Sequence, residues 1–172
     1  MDLFTVPAPP GKASIVSRPM GGASTAKELE RLSGSGVDVL VSLLVQEEAE
    51  ALGLAEEAED CMAAGIEFLR EPVIDHGVPE DTTQFGQLAK DLALRVRAGE
   101  HVAAHCRMGL GRSPLLIGTV LIELGWDVDD AIVALTRARG YPVPETAGQR
   151  AWLRNHGDAS VSHTLPSWLR HG

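Results

Sequence analysis

The segment that most constrains this chain is the nine-residue run His105-Cys106-Arg107-Met108-Gly109-Leu110-Gly111-Arg112-Ser113. It follows a short apolar stretch typical of a strand, and it leads into a long apolar stretch typical of a buried helix. Its glycines permit the backbone angles of a tight loop. Backbone N–H groups in such a loop and in the first helical turn converge on one point, which favours an anion there. The run therefore predicts a strand, an anion-binding loop and a helix in direct succession.

Two side chains of the run suit attack on a bound phosphate. Cys106 is the candidate nucleophile, because a thiol beside a helix N-terminus and cationic groups is readily converted to the thiolate. A buried structural cysteine is the alternative. Arg112 presents a planar guanidinium that binds two phosphate oxygens at once, and a cation at a helix N-terminus is otherwise unfavourable. The predicted phosphate-binding residues are Arg107, Met108, Gly109, Leu110, Gly111 and Arg112.

Asp75 is the candidate general acid, since cleavage of a phosphate ester requires a proton for the leaving oxygen. It follows a predicted strand and precedes Gly77 and Pro79, a position that suits an acid on a loop able to close over substrate. An ordinary turn aspartate is the alternative. The nearby carboxylates Glu80 and Asp81 are better explained as capping or first-turn groups of the next helix.

Strand-like and helix-like segments alternate along the chain, which predicts an α/β fold with a central, mainly parallel sheet flanked by helices. The predicted strands are residues 14–16, 37–45, 66–74 and 101–104. The predicted helices are residues 24–32, 55–64, 82–98, a segment from about 112, a segment from 127 to about 140, and a segment after 144. Parallel strands bind ligands beyond their carboxyl ends, so Asp75 and Cys106 are expected at one rim.

Residues 1–172 are predicted to form one domain with a core of about residues 14–155 and a weakly ordered tail from about His156, apart from Trp168. The net charge of −9 argues against nucleic acid or an anionic membrane as a partner. No signal-peptide pattern is found at the start, and the apolar segment 115–124 is too short to span a bilayer. With only Cys61 and Cys106, the chain is expected in the reducing cytoplasm, and its oligomeric state stays open.

The pattern Cys-x5-Arg-Ser, preceded by His105, resembles the signature loop of the protein tyrosine phosphatase superfamily. An acid upstream and a cysteine in mid-chain are similar to its dual-specificity-like branch, and the resemblance extends from about residue 37 to 152. It implies the phosphatase fold, a reaction without metal or cofactor, and a phosphocysteine formed when Cys106 attacks phosphorus in line. The one tyrosine, Tyr141, follows the loop. The superfamily's upstream tyrosine that clamps phosphotyrosine is therefore absent, which implies a shallower pocket.

The resemblance gives roles to further residues. Ser113 stabilises the thiolate that leaves in the second step. Gln149 orients the hydrolytic water, with an exposed helix glutamine as the alternative. His105 braces the loop through hydrogen bonds, and strand alternation turns it away from Cys106. Core packing explains Cys61, and a disulfide with an oxidised Cys106 is the alternative.

We therefore predict a cysteine-dependent protein phosphatase that acts on phosphotyrosine, with phosphoserine and phosphothreonine as further substrates. Phosphoinositide phosphatases with a similar loop carry basic residues at the first and fourth variable positions, whereas this chain has Arg107 and Leu110 there. A phosphoprotein or phosphopeptide is therefore the expected partner. Two other functions stay open, namely sulfur transfer by a rhodanese-like domain and phosphate binding without turnover.

Overall fold

The computed structural model describes the backbone of residues 1–164 and the side chains of residues 1–159. Within these residues the strands are β1 (Leu3–Ala8), β2 (Gly11–Val16), β3 (Val39–Ser42), β4 (Glu67–Arg70) and β5 (His101–His105). The helices are α1 (Thr25–Gly34), α2 (Gln46–Ala51), α3 (Glu57–Ala63), α4 (Thr82–Arg97), α5 (Arg112–Glu123), α6 (Val128–Arg139) and α7 (Ala147–Thr164). The predicted α/β class is confirmed.

These strands form one sheet in the order β1-β2-β5-β3-β4. All are parallel except β1, which pairs antiparallel with β2 at one edge. Side chains alternate across the sheet, so Val39 and Val41 face one hydrophobic cluster and Leu40 faces another. Helices α4 to α7 contribute to the first cluster, and α1 and α3 contribute to the second. The predicted sheet between helices is therefore confirmed, with both of its faces covered.

The core begins earlier than the predicted boundary near residue 14. β1 and β2 form a hairpin, and Val6 and Ala8 of β1 are buried in the main hydrophobic cluster. The prolines of this segment argue against a strand in the middle of a sheet. β1 lies at the edge, where Pro7 is tolerated although it has no N–H to donate. The predicted boundary is therefore wrong, and the folded unit includes the chain from Leu3.

α5 is buried from Arg112 to Ile122, as its apolar composition predicts. The predicted ends of α6 also match the structure. The Asp127 carboxylate accepts hydrogen bonds from backbone N–H groups in the first turn, and Gly140 ends the helix in the left-handed region at φ 72°. Burial along α5, which follows the predicted anion-binding loop, anchors that helix in the core and holds its N-terminus in place.

α2 is a helix that the sequence does not predict. The predicted strand 37–45 ends at Ser42, and the chain passes through the buried residues Leu43 and Leu44 into α2. Six residues are too few for a clear helical period in the sequence. Because α2 follows the carboxyl end of β3, it brings Glu48 to the rim where Cys106 lies.

α7 continues to Thr164, so residues 156–164 of the predicted weakly ordered tail are helical. The His156 ring stacks on Trp152 with centroids 5.2 Å apart, and its Nε2 lies 2.7 Å from Oε1 of Glu123. The contact with Glu123 attaches the helix to α5. The predicted tail residue Trp168 lies outside the described residues. None of the described helices is long and apolar enough to cross a membrane.

Candidate active site

The predicted site residues gather where the parallel strands end. Cys106 directly follows β5, and Asp75 lies in the loop between β4 and α4. Arg112 is the first residue of α5, and it lies close to both of them. The structure therefore brings Asp75 and Cys106 to one rim through a common neighbour.

Cys106 is 3% exposed, and its Sγ lies 3.3 Å from Oγ of Ser113. Ser113 is fully buried in the first turn of α5. Its hydroxyl is in position to donate a hydrogen bond to the sulfur, and such a bond stabilises a thiolate more than a thiol. The contact suits the role that the resemblance implies for Ser113, which is to stabilise a leaving thiolate.

The loop between Cys106 and Arg112 is held from outside by Arg139 at the end of α6. Nε of Arg139 donates to the carbonyl of Gly109 at 3.1 Å, and Nη2 donates to the carbonyl of Met108 at 3.2 Å. In a trans peptide the N–H points opposite to the carbonyl. The N–H groups of Gly109 and Leu110 therefore point away from Arg139, as an anion cradle requires.

Arg112 is 1% exposed, and its guanidinium is almost fully engaged. Nη1 donates to Oε2 of Glu48 at 2.6 Å and to the carbonyl of Val73 at 3.0 Å. Nη2 lies 3.1 Å from Oε1 of Glu48 and 2.9 Å from Oδ1 of Asp75. Nε is buried and has no hydrogen-bond partner among the described residues. This donor stays available for an anion beside Cys106.

The Glu48–Arg112 pair determines the charges of this region. Burial disfavours the charged form of Arg112, but the hydrogen bond to Glu48 and the nearby charges of Cys106 and Asp75 outweigh it and raise its pKa. The hydrogen bond from Arg112 lowers the pKa of Glu48, against the opposing effect of burial. Sequence reasoning misses Glu48, because it lies in a short acidic helix that resembles a solvated face. Glu48 accepts a hydrogen bond at 3.3 Å from the N–H of Val45, three residues earlier. In a capping box the earlier position is usually Ser or Thr, and here it is Val45, so the sequence does not show the pattern.

Asp75 is 44% exposed on the loop that precedes α4. The next residue, His76, has φ 59°, a left-handed backbone that non-glycine residues rarely adopt. Of the rival carboxylates, Asp81 caps α4 by accepting from the N–H of Gln84 at 2.9 Å, and Glu80 is exposed. Asp75 is therefore the carboxylate of this loop that reaches Arg112.

His105 is fully buried at the end of β5. Its Nδ1 lies 3.4 Å from the carbonyl oxygen of Cys106, which suits the predicted role as a brace of the loop. Its Nε2 lies 2.9 Å from Oε1 of Glu57, the first residue of α3, which is also fully buried. Glu57 is a second carboxylate that sequence reasoning misses, since glutamate at the start of a helix is normally solvated.

Gln149 is fully buried, which contradicts the alternative of an exposed helix glutamine. Its Nε2 donates to the carbonyl of Gly77 at 2.9 Å, so it touches the loop that carries Asp75. A Cβ atom added to Gly111 would lie within 2.9 Å of the Gln149 amide and 2.6 Å from Oε1 of Glu145. Gln149 and Glu145 therefore border the N-terminus of α5, and Glu145 is a further residue that the sequence does not indicate.

Cys61 lies apart from the predicted site residues. It is fully buried in the hydrophobic cluster on the α1–α3 face of the sheet, whereas Cys106 belongs to the cluster on the other face. Burial, with the nearby charges of Glu57 and Asp60, raises the pKa of Cys61 to about 12. Core packing therefore accounts for Cys61, and the sheet separates it from Cys106. No group of three or more His, Cys, Asp or Glu side chains within the described part of the chain is arranged to hold a metal ion.

Comparison with known proteins gives matches at the level of family, sequence and fold. A family model described as "Polymorphic toxin system, DSP-PTPase phosphatase" matches residues 15–126, which include Glu48, Asp75, Cys106 and Arg112. The human phosphatidylglycerophosphatase and protein-tyrosine phosphatase 1 is 28% identical over 123 residues, which cover 70% of this chain and 60% of that protein. The chain thus spans less than two thirds of the length of this relative.

Two solved structures show the likeness of fold. A kinase-associated phosphatase with a serine at its catalytic cysteine matches with a TM-score of 0.77 and 21% identity, over 88% of this chain and 89% of that one. PTPMT1 in complex with PI(5)P matches with a TM-score of 0.73 and 21% identity, over 89% of this chain and 94% of that one. The predicted phosphatase fold is confirmed.

Proposed function

The chain belongs to the DSP-PTPase family within the cysteine-based protein tyrosine phosphatases, and from this premise we propose that it hydrolyses phosphotyrosine in proteins through a phosphocysteine. The observation that carries the proposal is the unpartnered Nε of Arg112 beside the Cys106–Ser113 pair at the start of α5. A buried guanidinium donor, a helix N-terminus and a nucleophilic sulfur together suit one bound phosphoryl group. Phosphoserine and phosphothreonine are proposed as poorer substrates, because their alkoxides are worse leaving groups.

In the first step, Sγ of Cys106 attacks phosphorus in line, so that the S–P bond forms while the bond from phosphorus to the tyrosyl oxygen breaks. Arg112 and the loop N–H groups bind the non-bridging oxygens as their charge redistributes. Asp75 gives its proton to the leaving oxygen and becomes a carboxylate.

In the second step, a water held by Gln149 attacks the phosphorus of the phosphocysteine. The Asp75 carboxylate takes the water proton, the S–P bond breaks, and inorganic phosphate forms. The Ser113 hydroxyl donates to the departing thiolate, which returns Cys106 to its starting state. The 3.3 Å separation of Sγ and Oγ supports this role.

The surroundings of the loop support an aryl substrate on a protein. The side chains of Met108 and Ile74 are 65% and 61% exposed, and both belong to the segments that carry the proposed catalytic groups. Exposed apolar side chains suit the ring of phosphotyrosine and its neighbours. Arg107 is the one basic residue of the variable loop positions 107–111, and the net charge of −9 opposes binding to an anionic membrane.

A lipid phosphatase is the second candidate. It is favoured by the name of the human relative, a phosphatidylglycerophosphatase as well as a tyrosine phosphatase, and by the PI(5)P complex of a structural relative.

We also propose that the enzyme works in the cytoplasm, where a nucleophilic thiolate stays reduced. Fractionation of the source cells tests this location, and recovery outside the cytoplasm would contradict it.

The deciding experiment compares kcat/KM for a phosphotyrosyl peptide, a phosphothreonyl peptide and soluble PI(5)P, all with EDTA present. We expect the phosphotyrosyl peptide to lead. Cys106→Ser should abolish turnover and keep phosphate binding, whereas Cys61→Ser, which changes the other cysteine, should keep turnover. A clear lead for PI(5)P would replace the protein substrate by a lipid. Sulfur transfer from thiosulfate without phosphatase activity would instead support the rhodanese-like alternative. Phosphate binding without turnover would support a module that only binds phosphate.

A further inference from the structure

A buried pair lies directly behind the nucleophile. His105 and Glu57 are both fully buried, and Nε2 of His105 lies 2.9 Å from Oε1 of Glu57. The contact departs from an ideal hydrogen-bond direction, and within the described residues neither Nε2 nor the Glu57 oxygens have another hydrogen-bond partner. A buried carboxylate without a counter-charge is strongly unfavourable. Each group is therefore the partner that makes burial of the other tolerable.

The contacts of the His105 ring determine where its protons lie. Nδ1 lies 3.4 Å from the carbonyl oxygen of Cys106, and Nε2 faces the Glu57 carboxylate. The carbonyl oxygen and an ionised Glu57 carboxylate both only accept hydrogen bonds, and a neutral imidazole has one donor. The imidazolium form, with a proton on each nitrogen, provides a donor at each nitrogen and a positive charge beside the carboxylate. This form puts a positive charge one residue from the Cys106 sulfur.

We propose that Glu57 is a positioning residue that keeps His105 as an imidazolium behind Cys106, and thereby increases the fraction of Cys106 present as the thiolate at a given pH. The inference rests on the proposed role of Cys106 as the nucleophile. Glu57 touches no reacting atom. It acts through His105, whose charge favours a negative sulfur over a neutral one.

The other groups around the pair leave this role to Glu57. On α3, Cys61 stays a neutral thiol, because burial and the charges of Glu57 and Asp60 raise its pKa to about 12. On β3, Ser42 lies opposite His105 in the parallel register and carries no charge. On α5, Arg112 and Ser113 are the further polar groups near Cys106, and Arg112 is paired with Glu48 and Asp75. Glu59 and Asp60 are the other carboxylates of α3, and in the described structure no hydrogen bond or ion pair joins either of them to His105.

The test is the pH dependence of Cys106 alkylation by iodoacetamide, followed by mass spectrometry of the Cys106 peptide. We expect Glu57→Gln to raise the midpoint of this curve by about one pH unit, since the Gln side chain does not hold a cation. The acidic limb of kcat/KM should move by the same amount. Glu56→Gln changes the exposed neighbour of Glu57 and should leave the midpoint unchanged. An unchanged midpoint in folded Glu57→Gln protein, or an equal shift in Glu56→Gln, would overturn the proposal.

A second measurement uses the wild-type chain, in case Glu57→Gln fails to fold. Nitrogen NMR of the 15N-labelled histidine rings, with His105 assigned from its absence in His105→Gln, should show two protonated ring nitrogens at pH 7. A single protonated nitrogen would contradict the imidazolium and sink the inference. Failure of the wild-type protein to hydrolyse an aryl phosphate would reject the proposed function instead, because alkylation of Cys106 does not depend on turnover.

Discussion

Oδ1 of Asp75 lies 2.9 Å from Nη2 of Arg112, so the proposed proton donor and the proposed phosphate-binding cation form an ion pair with each other. A phosphate oxygen bound by Nη2 would compete with the Asp75 carboxylate for this donor. Asp75 is 44% exposed and lies on a loop, whereas Arg112 is buried and held by Glu48. Substrate binding is therefore expected to displace Asp75, which frees it to face the leaving oxygen.

Replacement of Asp75 by Asn should separate its two effects. We expect kcat on a phosphotyrosyl peptide to fall about 10²–10⁴-fold, the usual contribution of a general acid. Inorganic phosphate should bind about two- to five-fold more tightly, since a half-exposed competing ion pair of modest strength is lost. Steady-state kinetics and competitive inhibition by phosphate measure the two quantities.

The control for this change is Asp81→Asn, which alters the cap of α4 in the same segment. Asn caps a helix as well as Asp does, so activity and phosphate affinity should stay at the wild-type values. A larger loss of kcat in Asp81→Asn than in Asp75→Asn would show that the wrong carboxylate is assigned as the acid.

Glu48→Gln should weaken the fold in a pH-dependent way. The hydrogen bond from Arg112 lowers the pKa of Glu48 below its ordinary value of 4.5. A carboxylate with a lowered pKa contributes stability above its unfolded value, and this contribution is lost as the pH falls through its folded value. We expect the variant to be about 1–3 kcal/mol less stable than wild type at pH 7, with the difference shrinking below pH 4.5. Denaturant unfolding at several pH values measures it, and a difference that does not change with pH would contradict the pairing.

Gly111→Ala should disturb the second chemical step. Its Cβ would lie 2.6 Å from Oε1 of Glu145 and 2.9 Å from the Gln149 amide, so these side chains must move. Hydrolysis of the phosphocysteine should slow on the order of 10-fold, because the hydrolytic water loses its orientation. A burst of aryl product in rapid-mixing experiments would reveal the delayed second step.

The matched control for Gly111→Ala is Gly148→Ala. At position 148 the atom nearest to an added Cβ is Oγ1 of Thr146, at 3.9 Å. This change should leave the kinetics unaltered and raise stability by about 0.5–1 kcal/mol, because Ala favours the helix. Equal kinetics in both glycine variants would argue against a role of Gln149 in orienting water.

His101 should make stability depend on pH without affecting the site, since it lies at the opposite end of β5 from Cys106. Burial first, and the charge of Lys12 second, lower the pKa of His101 below 6.5. The unfolded chain then binds a proton at His101 more readily than the folded protein does. The contribution of neutral His101 to stability is therefore fully present above pH 6.5, and it is lost as the pH falls through the lowered pKa of the folded state. His101→Gln should flatten this part of the profile in denaturant titrations between pH 5 and 8. A profile of unchanged slope would show that another group is responsible.

Local chemistry made much of this protein predictable. The conformations of the loop 107–111 and of α5 depend mainly on residues that are close in the chain, and so does the position of Cys106 before them. The same holds for the ends of α6, where Asp127 caps the first turn and Gly140 ends the helix. β1 was missed for the converse reason. Whether Pro7 is tolerated in a strand depends on that strand lying at the edge of the sheet, and no local pattern states this.

The amino-acid sequence by itself indicated the candidate nucleophile Cys106, the candidate phosphate-binding Arg112 and the candidate acid Asp75, because each stands out by its residue type and its neighbours in the chain. It also predicted the class of fold, from the alternation of strand-like and helix-like segments. Only the tertiary structure decided which of the many glutamates contact the residues of the candidate site. Glu48 and Glu57 both occupy short acidic helices that a sequence presents as solvated. Packing of α2 and α3 against the sheet turns these two carboxylates toward Arg112 and His105. The physical reason is that removal from water, and the partner that compensates for it, are properties of the packed fold rather than of the local sequence.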